Sequence, residues 1–180
     1  GFVETATQAS TIEPRLRAEV MAMGELLSTR LGAAFLNAMG LSTRWLDARE
    51  LLKAQDESHV APKRRYLSAT CAHYPDAIAQ AHLDGRVGEG TEVFITQGFI
   101  ASNAIGETVL LGRGGSDTSA AYFAAKLEAE GLEIWTDVPG MFTANPRAIP
   151  SARLLRQLGY EEAQELATMG AKVLHPRCID

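Results

Sequence analysis

A chain of 180 residues is long enough for one domain with a buried core. Its 46% hydrophobic and 22% charged residues are typical of a globular protein. A net charge of −5 excludes a general attraction to nucleic acid or anionic lipid, so an anionic ligand must be held by local groups. No apolar run approaches the roughly 18 residues of a membrane helix, and no signal peptide is visible.

Apolar residues recur at helical spacing between Pro14 and Gly40. Proline suits the first turn of a helix and glycine suits its end. Gly24 and Gly32 weaken this helix, so we predict a bend or a division into two helices. Residues 1–12, which precede it, are expected to be a disordered or boundary segment.

The middle of the chain alternates short apolar runs with turns. We predict a strand that opens at 45–46, followed by a polar loop at 53–65 that ends in a basic cluster. A short helix at 75–83 and a buried strand at 93–96 come next. The residues at 98–111 are predicted to form an extended excursion with a turn near 103–106. The cysteines are Cys71 and Cys178, which allow one disulfide but no disulfide framework and favour a reducing cytoplasm.

The C-terminal part begins with a glycine-rich stretch at 112–117. We predict a helix from there to about Glu130, a strand at 132–136, a loop at its end, and helices at 160–169 and from about 171. Strand, glycine loop, helix, strand and loop are typical of α/β proteins with a parallel sheet, in which ligands bind at the carboxyl ends of the strands.

The glycine-rich stretch Gly-Arg-Gly-Gly-Ser-Asp at 112–117 is the strongest chemical signal. Glycines let the backbone turn sharply, Ser116 or Asp117 could cap the helix, and free N–H groups at a helix start attract anions. Arg113 adds a planar fork that matches carboxylate or phosphate. The stretch is neither a Walker A loop nor a dinucleotide fingerprint. A well-capped turn with a solvated arginine is an equally good interpretation of these residues alone.

Three weaker signals accompany it. Residues 136–140 and 145–147 place polar groups after a strand, which suits a nucleotide, although a plain strand exit is the commoner explanation. Lys172 follows Gly170 in the first turn of a predicted helix, where a cation is unfavourable unless an anion lies nearby. Glu25 shares a helix face with two hydroxyls and could bind an amino group, or belong to a polar stripe.

Two other pairs do not make sites. His175 and Cys178 supply only two ligands, too few for a metal. Cys71 and His73 have no positioned acid, which argues against a cysteine nucleophile.

Taken in order, these motifs resemble the aspartokinase family. They are Gly-Glu-Leu-Leu-Ser at 24–28, Gln-Gly-Phe-Ile at 97–100, Leu-Gly-Arg-Gly-Gly-Ser-Asp at 111–117, Ile-Trp-Thr-Asp-Val-Pro-Gly at 134–140, Asn-Pro-Arg at 145–147 and Gly-Ala-Lys-Val-Leu-His-Pro at 170–176. The resemblance runs from about Glu13 to the C-terminus. It implies a three-layer α/β/α fold with a mostly parallel central sheet, over residues 13–180, with a substrate side at about 13–118 and a nucleotide side at about 119–180.

The resemblance also implies an activity and a set of roles. The reaction would move the γ-phosphoryl of ATP, with Mg²⁺, to the side-chain carboxylate of aspartate, as the first step of lysine, threonine and methionine biosynthesis. Arg113 and Asp117 would be catalytic, and Glu25, Arg113 and Ser116 would bind aspartate. The nucleotide would be bound by Thr136, Asp137, Phe142, Arg147 and Lys172. A homo-oligomer, or a part of a larger multifunctional chain, is implied.

The chain departs from the family pattern in three places. Phe142 stands where tyrosine is common, and Asn145 where aspartate is common. The family's Lys-Phe-Gly-Gly-Thr-Ser motif does not occur in these 180 residues. We therefore expect a piece of a larger protein with little or no activity by itself, and either a tendency to self-associate or a disordered, weakly packed N-terminal half. A kinase for another acid such as glutamate, and a fragment that binds nucleotide or a partner without catalysis, remain alternatives.

Overall fold

The computed structural model describes residues 12–56, 59–85, 90–169, 173–174 and 176–179. The helices are α1 (Pro14–Ala38), α2 (Ala48–Leu51), α3 (Pro62–Leu67), α4 (Ala77–Asp84), α5 (Gly115–Lys126) and α6 (Tyr160–Thr168), and a 3₁₀ turn spans Pro176–Cys178. The strands are β1 (Thr43–Trp45), β2 (Val93–Ile95), β3 (Ile100–Ser102) and β4 (Thr108–Leu110). Within these ranges, no helix combines the length and apolar character needed to span a membrane.

The strands form two pairs of different direction. β1 and β2 are parallel, with Thr43 opposite Val93, and the connection between them contains α2, α3 and α4. β3 and β4 form an antiparallel hairpin, with Ile100 opposite Leu110. The predicted excursion at 98–111 is this hairpin. A parallel pair joined through helices confirms the predicted α/β class.

The core lies beneath α1 and around the hairpin. One buried cluster joins Ala18 and Ala22 of α1 to Ile100 and Leu110 of the hairpin. A second cluster lies on the other side of the hairpin and contains Leu52, Cys71, Val109, Leu111 and Tyr122. The hairpin is therefore covered on both faces, which explains why all six residues of its strands are buried, Ser102 and Thr108 included.

Helix α1 is continuous from Pro14 to Ala38, so the predicted division into two helices at Gly24 or Gly32 is wrong. Each glycine costs a helix roughly 1 kcal/mol relative to alanine. Packing of Ala18, Ala22 and Ala33, which are all buried, outweighs that cost, because helices in proteins gain most of their stability from tertiary contacts.

Two other predicted boundaries are corrected by local geometry. The predicted loop at 53–65 contains the start of α3, whose first residue is Pro62, a favourable residue in that position. The helix after the glycine loop ends at Lys126 instead of Glu130. The helices predicted at 75–83 and 160–169 are confirmed as α4 and α6, while the one expected from about 171 begins outside the described residues.

The strand predicted at 132–136 is not formed. Trp135 is 90% exposed, and its indole N–H donates to the Glu133 carboxylate at 3.1 Å. A strand is stable only when its N–H and C=O groups pair with a neighbour. In the described part of the chain, no strand lies alongside this segment.

Candidate active site

The glycine-rich loop turns through two left-handed glycines. Gly112 has a φ of 79° and Gly114 a φ of 63°, which glycine adopts without the steric cost that a side chain brings. The amides of Gly115 and Thr118 donate to the carbonyls of Gly112 and Gly114 at 3.1 and 2.9 Å. Gly114 is the residue that caps α5, so the predicted cap by Ser116 or Asp117 is wrong. Those two residues lie in the first turn of the helix instead.

Close contacts hold this loop against two neighbouring segments. A Cβ atom added to Gly112 would lie 2.7 Å from Ser68 Oγ, and one added to Gly115 would lie 2.7 Å from Phe99 Cδ2. At Gly98, the added atom would lie 2.9 Å from the Cα of Ser116. Glycine is thus required at these three positions by space, and at Gly112 by conformation as well. The loop is fitted between the end of α3 and the segment that follows β2.

Phe99, at the centre of these contacts, has a strained backbone. Its φ is 71°, an uncommon value for a residue with a side chain. The Phe99 amide donates to Ser119 Oγ at 2.8 Å, and that hydroxyl donates to the Gly115 carbonyl at 2.6 Å. Strain of this kind concentrates at functional sites. The sequence analysis assigned no role to Phe99 or Ser119, although the motif at 97–100 contains the first.

A buried glutamine connects α1 to the same segment. Gln97 has no exposed surface, and its side-chain amide donates to Thr29 Oγ1 at 2.8 Å and to the Leu46 carbonyl at 3.1 Å. Thr29 in turn donates to the carbonyl of Glu25 at 2.7 Å, one turn earlier on α1. Glu25 therefore lies on the helix face that approaches residues 97–98, and Ser116 contacts Gly98 from the other side.

Arg113 is exposed at the mouth of the loop. It borders an opening of about 670 Å³ whose other lining residues are Ala61, Lys63, Arg64, Leu67, Ser68 and Arg177. Asp117 is half-buried in the first turn of α5. The structure thus gathers the predicted substrate residues around one loop and adds basic residues from α3 that sequence analysis treated as part of a loop.

A hydrogen bond fixes α3 relative to the hairpin. The Tyr66 hydroxyl donates to the Glu107 carboxylate at 2.5 Å. This bond is the main reason why the pKa of Glu107 lies below its usual value, and a hydrogen bond from the Asn103 side chain is the second. The same bond is the main reason why the pKa of Tyr66 is raised. Helix α3 therefore stands in a defined position beside the glycine loop.

The predicted nucleotide residues lie in a different environment. Thr136, Asp137 and Arg147 are exposed in the loop at 136–147, and Phe142 is half-buried. Phe142 forms an isolated antiparallel bridge with Leu154, which closes this loop on itself. Lys172 lies outside the described residues, so its position relative to this loop is not part of the structure. Among the residues described, no three His, Cys, Asp or Glu side chains converge as a metal site would require.

The fold and this loop define an α/β protein with a glycine-rich candidate site, and comparison gives its family. The chain belongs to the amino acid kinase family, whose sequence model matches residues 2–180. It is 39% identical to the lysine-sensitive aspartokinase 3 of Escherichia coli, over 99% of this chain and 37% of that protein. It is 40% identical to the bifunctional aspartokinase/homoserine dehydrogenase of Haemophilus influenzae, over 99% of this chain and 21% of that one.

Solved structures agree with the sequence relatives. E. coli aspartokinase III in complex with aspartate and ADP superposes with a TM-score of 0.81 at 37% identity, over 99% of this chain and 37% of that chain. Aspartate kinase from Synechocystis superposes with a TM-score of 0.71 at 32% identity, over 99% of this chain and 27% of that chain. The resemblance to aspartokinases and the predicted fold class are thereby confirmed. The chain spans about a fifth to two fifths of the length of these relatives.

Proposed function

We propose that this chain forms part of an enzyme that transfers the γ-phosphoryl group of ATP to the side-chain carboxylate of L-aspartate. The observation that carries the proposal is the glycine loop, which is held against residues 97–99 with Arg113 at its mouth. A guanidinium fork matches a carboxylate in two parallel hydrogen bonds. The aspartate and ADP bound by E. coli aspartokinase III support this pair of reactants.

The charged substrate residues would each bind the group of opposite charge on aspartate. Arg113 binds the α-carboxylate of aspartate, Ser116 assists it, and Glu25 binds the α-amino group. An oxygen of the free side-chain carboxylate then attacks the γ-phosphorus, and the bond from that phosphorus to the oxygen bridging to the β-phosphate breaks. The products are an acyl phosphate and ADP. Because both reactants are anions, positioning and neutralisation of charge supply most of the catalysis, with Asp117 organising the reacting centre.

The nucleotide would lie on the side formed by residues 119–180, against Thr136, Asp137, Phe142, Arg147 and Lys172. Mg²⁺ usually binds through one or two carboxylates and the phosphates themselves, so it would arrive with ATP as part of the substrate. Neither Cys71 nor Cys178 forms a disulfide, which supports a reducing cytoplasm as the location.

The test measures binding of each reactant separately. Arg113→Ala should weaken binding of L-aspartate about 10- to 100-fold in calorimetry, the range expected for hydrogen bonds between charged groups. Binding of MgATP should change less than about twofold. Arg113→Lys should not restore aspartate binding, because a point charge lacks the fork geometry.

Two results would contradict the proposal. Equal losses for both ligands would remove the assignment of Arg113, and tighter binding of L-glutamate than of L-aspartate would favour a kinase for a different acid. Nucleotide binding by a protein that binds neither acid, with no turnover, would favour a binding fragment. Aspartate-dependent ADP formation distinguishes the enzyme from that last alternative.

We further infer that α1 packs against a second copy of the chain. Its solvent face carries large apolar side chains at helical spacing, namely Val20, Met23, Leu27, Leu31 and Phe35, which are 53 to 72% exposed. Its opposite face is already buried, so α1 is apolar on both sides. Glu19 and Arg30 are about three turns apart on the same edge, so antiparallel copies centred near Gly24 would bring unlike charges together.

Light scattering tests this assembly. Leu27→Glu combined with Leu31→Glu should shift the mass in solution from dimer to monomer, because two charges would be buried at the centre of the interface. Ile78→Glu is the matched control, since Ile78 is 83% exposed on α4. A monomeric parent chain would show that some other part of a longer protein covers the face.

A further inference from the structure

The opening beside Arg113 is bordered by three structural elements that carry basic side chains. Lys63 and Arg64 lie on α3, and Arg113 lies on the glycine loop across from them. Arg177, in the 3₁₀ turn near the C-terminus, completes the border. We call this site the basic opening. The proposed function assigns a role to Arg113 alone, so the other three residues need a separate explanation.

The basic opening has an excess of positively charged side chains, whereas the chain as a whole has more acidic than basic residues. The protein has 17 basic and 22 acidic residues, yet four of the seven lining residues are basic and none is acidic. Like charges that border one opening repel each other, and the field that they produce raises the local concentration of anions.

Contacts with the backbone hold the walls of the basic opening together. The amide of Ala69, directly after α3, donates to the Leu110 carbonyl at 2.8 Å. Ser68 contacts Gly112, where only the absence of a side chain permits the approach. The Arg177 guanidinium donates to the carbonyl of Leu111 at 2.9 Å. The distance between α3 and the loop is therefore determined by the fold and does not depend on the long basic side chains.

We propose that the basic opening is an oxyanion site in which Lys63, assisted by Arg64, binds the same reactant as Arg113 from the opposite wall. The proposal rests on the proposed function for the identity of that reactant. The oxyanion is either a carboxylate of the acidic amino acid or a phosphoryl group of the nucleotide. Lys63 is exposed and Arg113 is exposed, so both side chains can reach a ligand that enters from solvent.

Titration of the ¹⁵N-labelled 180-residue chain tests the proposal. The ligands are L-aspartate, succinate, inorganic phosphate and MgATP, each followed by the amide shifts of residues 63–68 and 112–115. Lys63→Gln should weaken binding of the ligand that shifts both segments by about fivefold, as expected for one exposed ion pair. Lys63→Glu should weaken it further, and Lys63→Arg should restore it.

Arg44→Gln is the matched control, because Arg44 is an exposed residue of β1 and lies outside the basic opening. It removes the same charge from the chain and should leave binding within about 1.5-fold of the parent. Raising the ionic strength from about 0.01 to 1 M shortens the Debye length to about 3 Å and should abolish the difference between Lys63→Gln and the parent. A purely structural role for Lys63 would not depend on salt in this way.

The outcomes separate this proposal from the proposed function. If aspartate binds and shifts only residues 112–117, with Lys63→Gln equal to Arg44→Gln, the basic opening is a solvated surface and the proposed function stands. If aspartate does not bind but succinate or phosphate shifts both segments through Lys63, the oxyanion site stands and the proposed function fails. If none of the four ligands shifts residues 63–68, the oxyanion site is wrong.

Discussion

The two sides of this molecule differ in how their motifs are supported. In the packed region, residues 13–127, the glycine loop is surrounded by buried side chains and hydrogen-bonded neighbours. In the outer region, residues 128–169, Met141 and Ala167 are the buried apolar residues, whereas Trp135, Val138 and Ile149 are exposed. Both regions contain motifs of similar length and specificity, but only one of them is held in place by a core.

This difference shows that a sequence motif has a defined conformation where neighbouring residues pack against it. Residues 112–115 are held between Ser68 and Phe99, so their conformation follows from packing. Residues 134–140 have the same clear pattern, yet the strand expected there has no neighbour among the described residues.

Thiol labelling should show the largest contrast. Burial raises the pKa of Cys71 to about 12, so at pH 8 only about one Cys71 in ten thousand is a thiolate. Cys178 is half-buried in the 3₁₀ turn near the C-terminus. We expect a thiol reagent to label one cysteine per native chain at least a thousandfold faster than the other, and mass spectrometry to find the label on Cys178. Comparable rates would show that the core around Cys71 opens readily.

Truncation of one large side chain in each region compares their packing directly. Leu111→Ala should lower the free energy of unfolding by about 3 kcal/mol, because Leu111 is fully buried and its removal leaves a cavity. Trp135→Ala should change it by less than about 0.5 kcal/mol, since that side chain is 90% exposed. Urea unfolding measures both. A larger loss for Trp135→Ala would mean that the outer region has a core of its own.

Alanine at a glycine of each region compares their backbone requirements. Gly112→Ala should cost about 2 kcal/mol, because its φ of 79° is unfavourable for alanine and its Cβ would lie 2.7 Å from Ser68 Oγ. Gly131→Ala should be neutral or slightly stabilising, since no atom lies within 4 Å of the added carbon. The same urea titration applies. Equal effects would show that the loop relaxes around the new side chain.

Of these paired substitutions, the removal of a helix-capping side chain should give the smallest difference in the free energy of unfolding between the two regions. Asp76 caps α4 by accepting from the amides of Ile78 and Ala79, and it accepts a 2.8 Å hydrogen bond from the buried Lys126. Asp76→Ala should cost about 1 kcal/mol. In the outer region, Glu162 accepts from the Gly159 amide at an exposed position, and Glu162→Ala should cost less than about 0.5 kcal/mol.

The capping pair also has a pH signature with a definite sign. The hydrogen bond from Lys126 holds the pKa of Asp76 below its ordinary value of 3.8. Its contribution is therefore complete above about pH 4 and is lost as the pH falls through the lowered pKa. The difference in stability between the parent and Asp76→Asn should shrink below about pH 4. A difference that grows on acidification would contradict the assigned pair.

Much of the local structure could be predicted from short-range patterns. The long helix from Pro14, the helices near 77–84 and 160–168, and the hairpin at 100–110 all follow from periodicity, proline and glycine. The glycine-rich turn was also evident, because three glycines in four residues predict a sharp turn, although the residues alone fitted a solvated turn as well as a ligand loop.

Other features could not be predicted, since they depend on residues far apart in the chain. Gly114 replaces Ser116 and Asp117 as the cap of α5 because Phe99 and Ser68 press on the loop from both sides. The basic residues at 63–64 gained a possible role only when α3 was found beside Arg113. Neither contact leaves a trace in the local sequence.

What the sequence by itself determined is the family and the order of the elements, because motif spacing and periodicity are properties of neighbouring residues. What only the tertiary structure decided is which motifs have a defined geometry. The segment at 132–136 has the composition of a strand but, in the described chain, no partner for its backbone. Hydrogen bonding between strands requires two segments, and a single segment cannot encode the presence of the second.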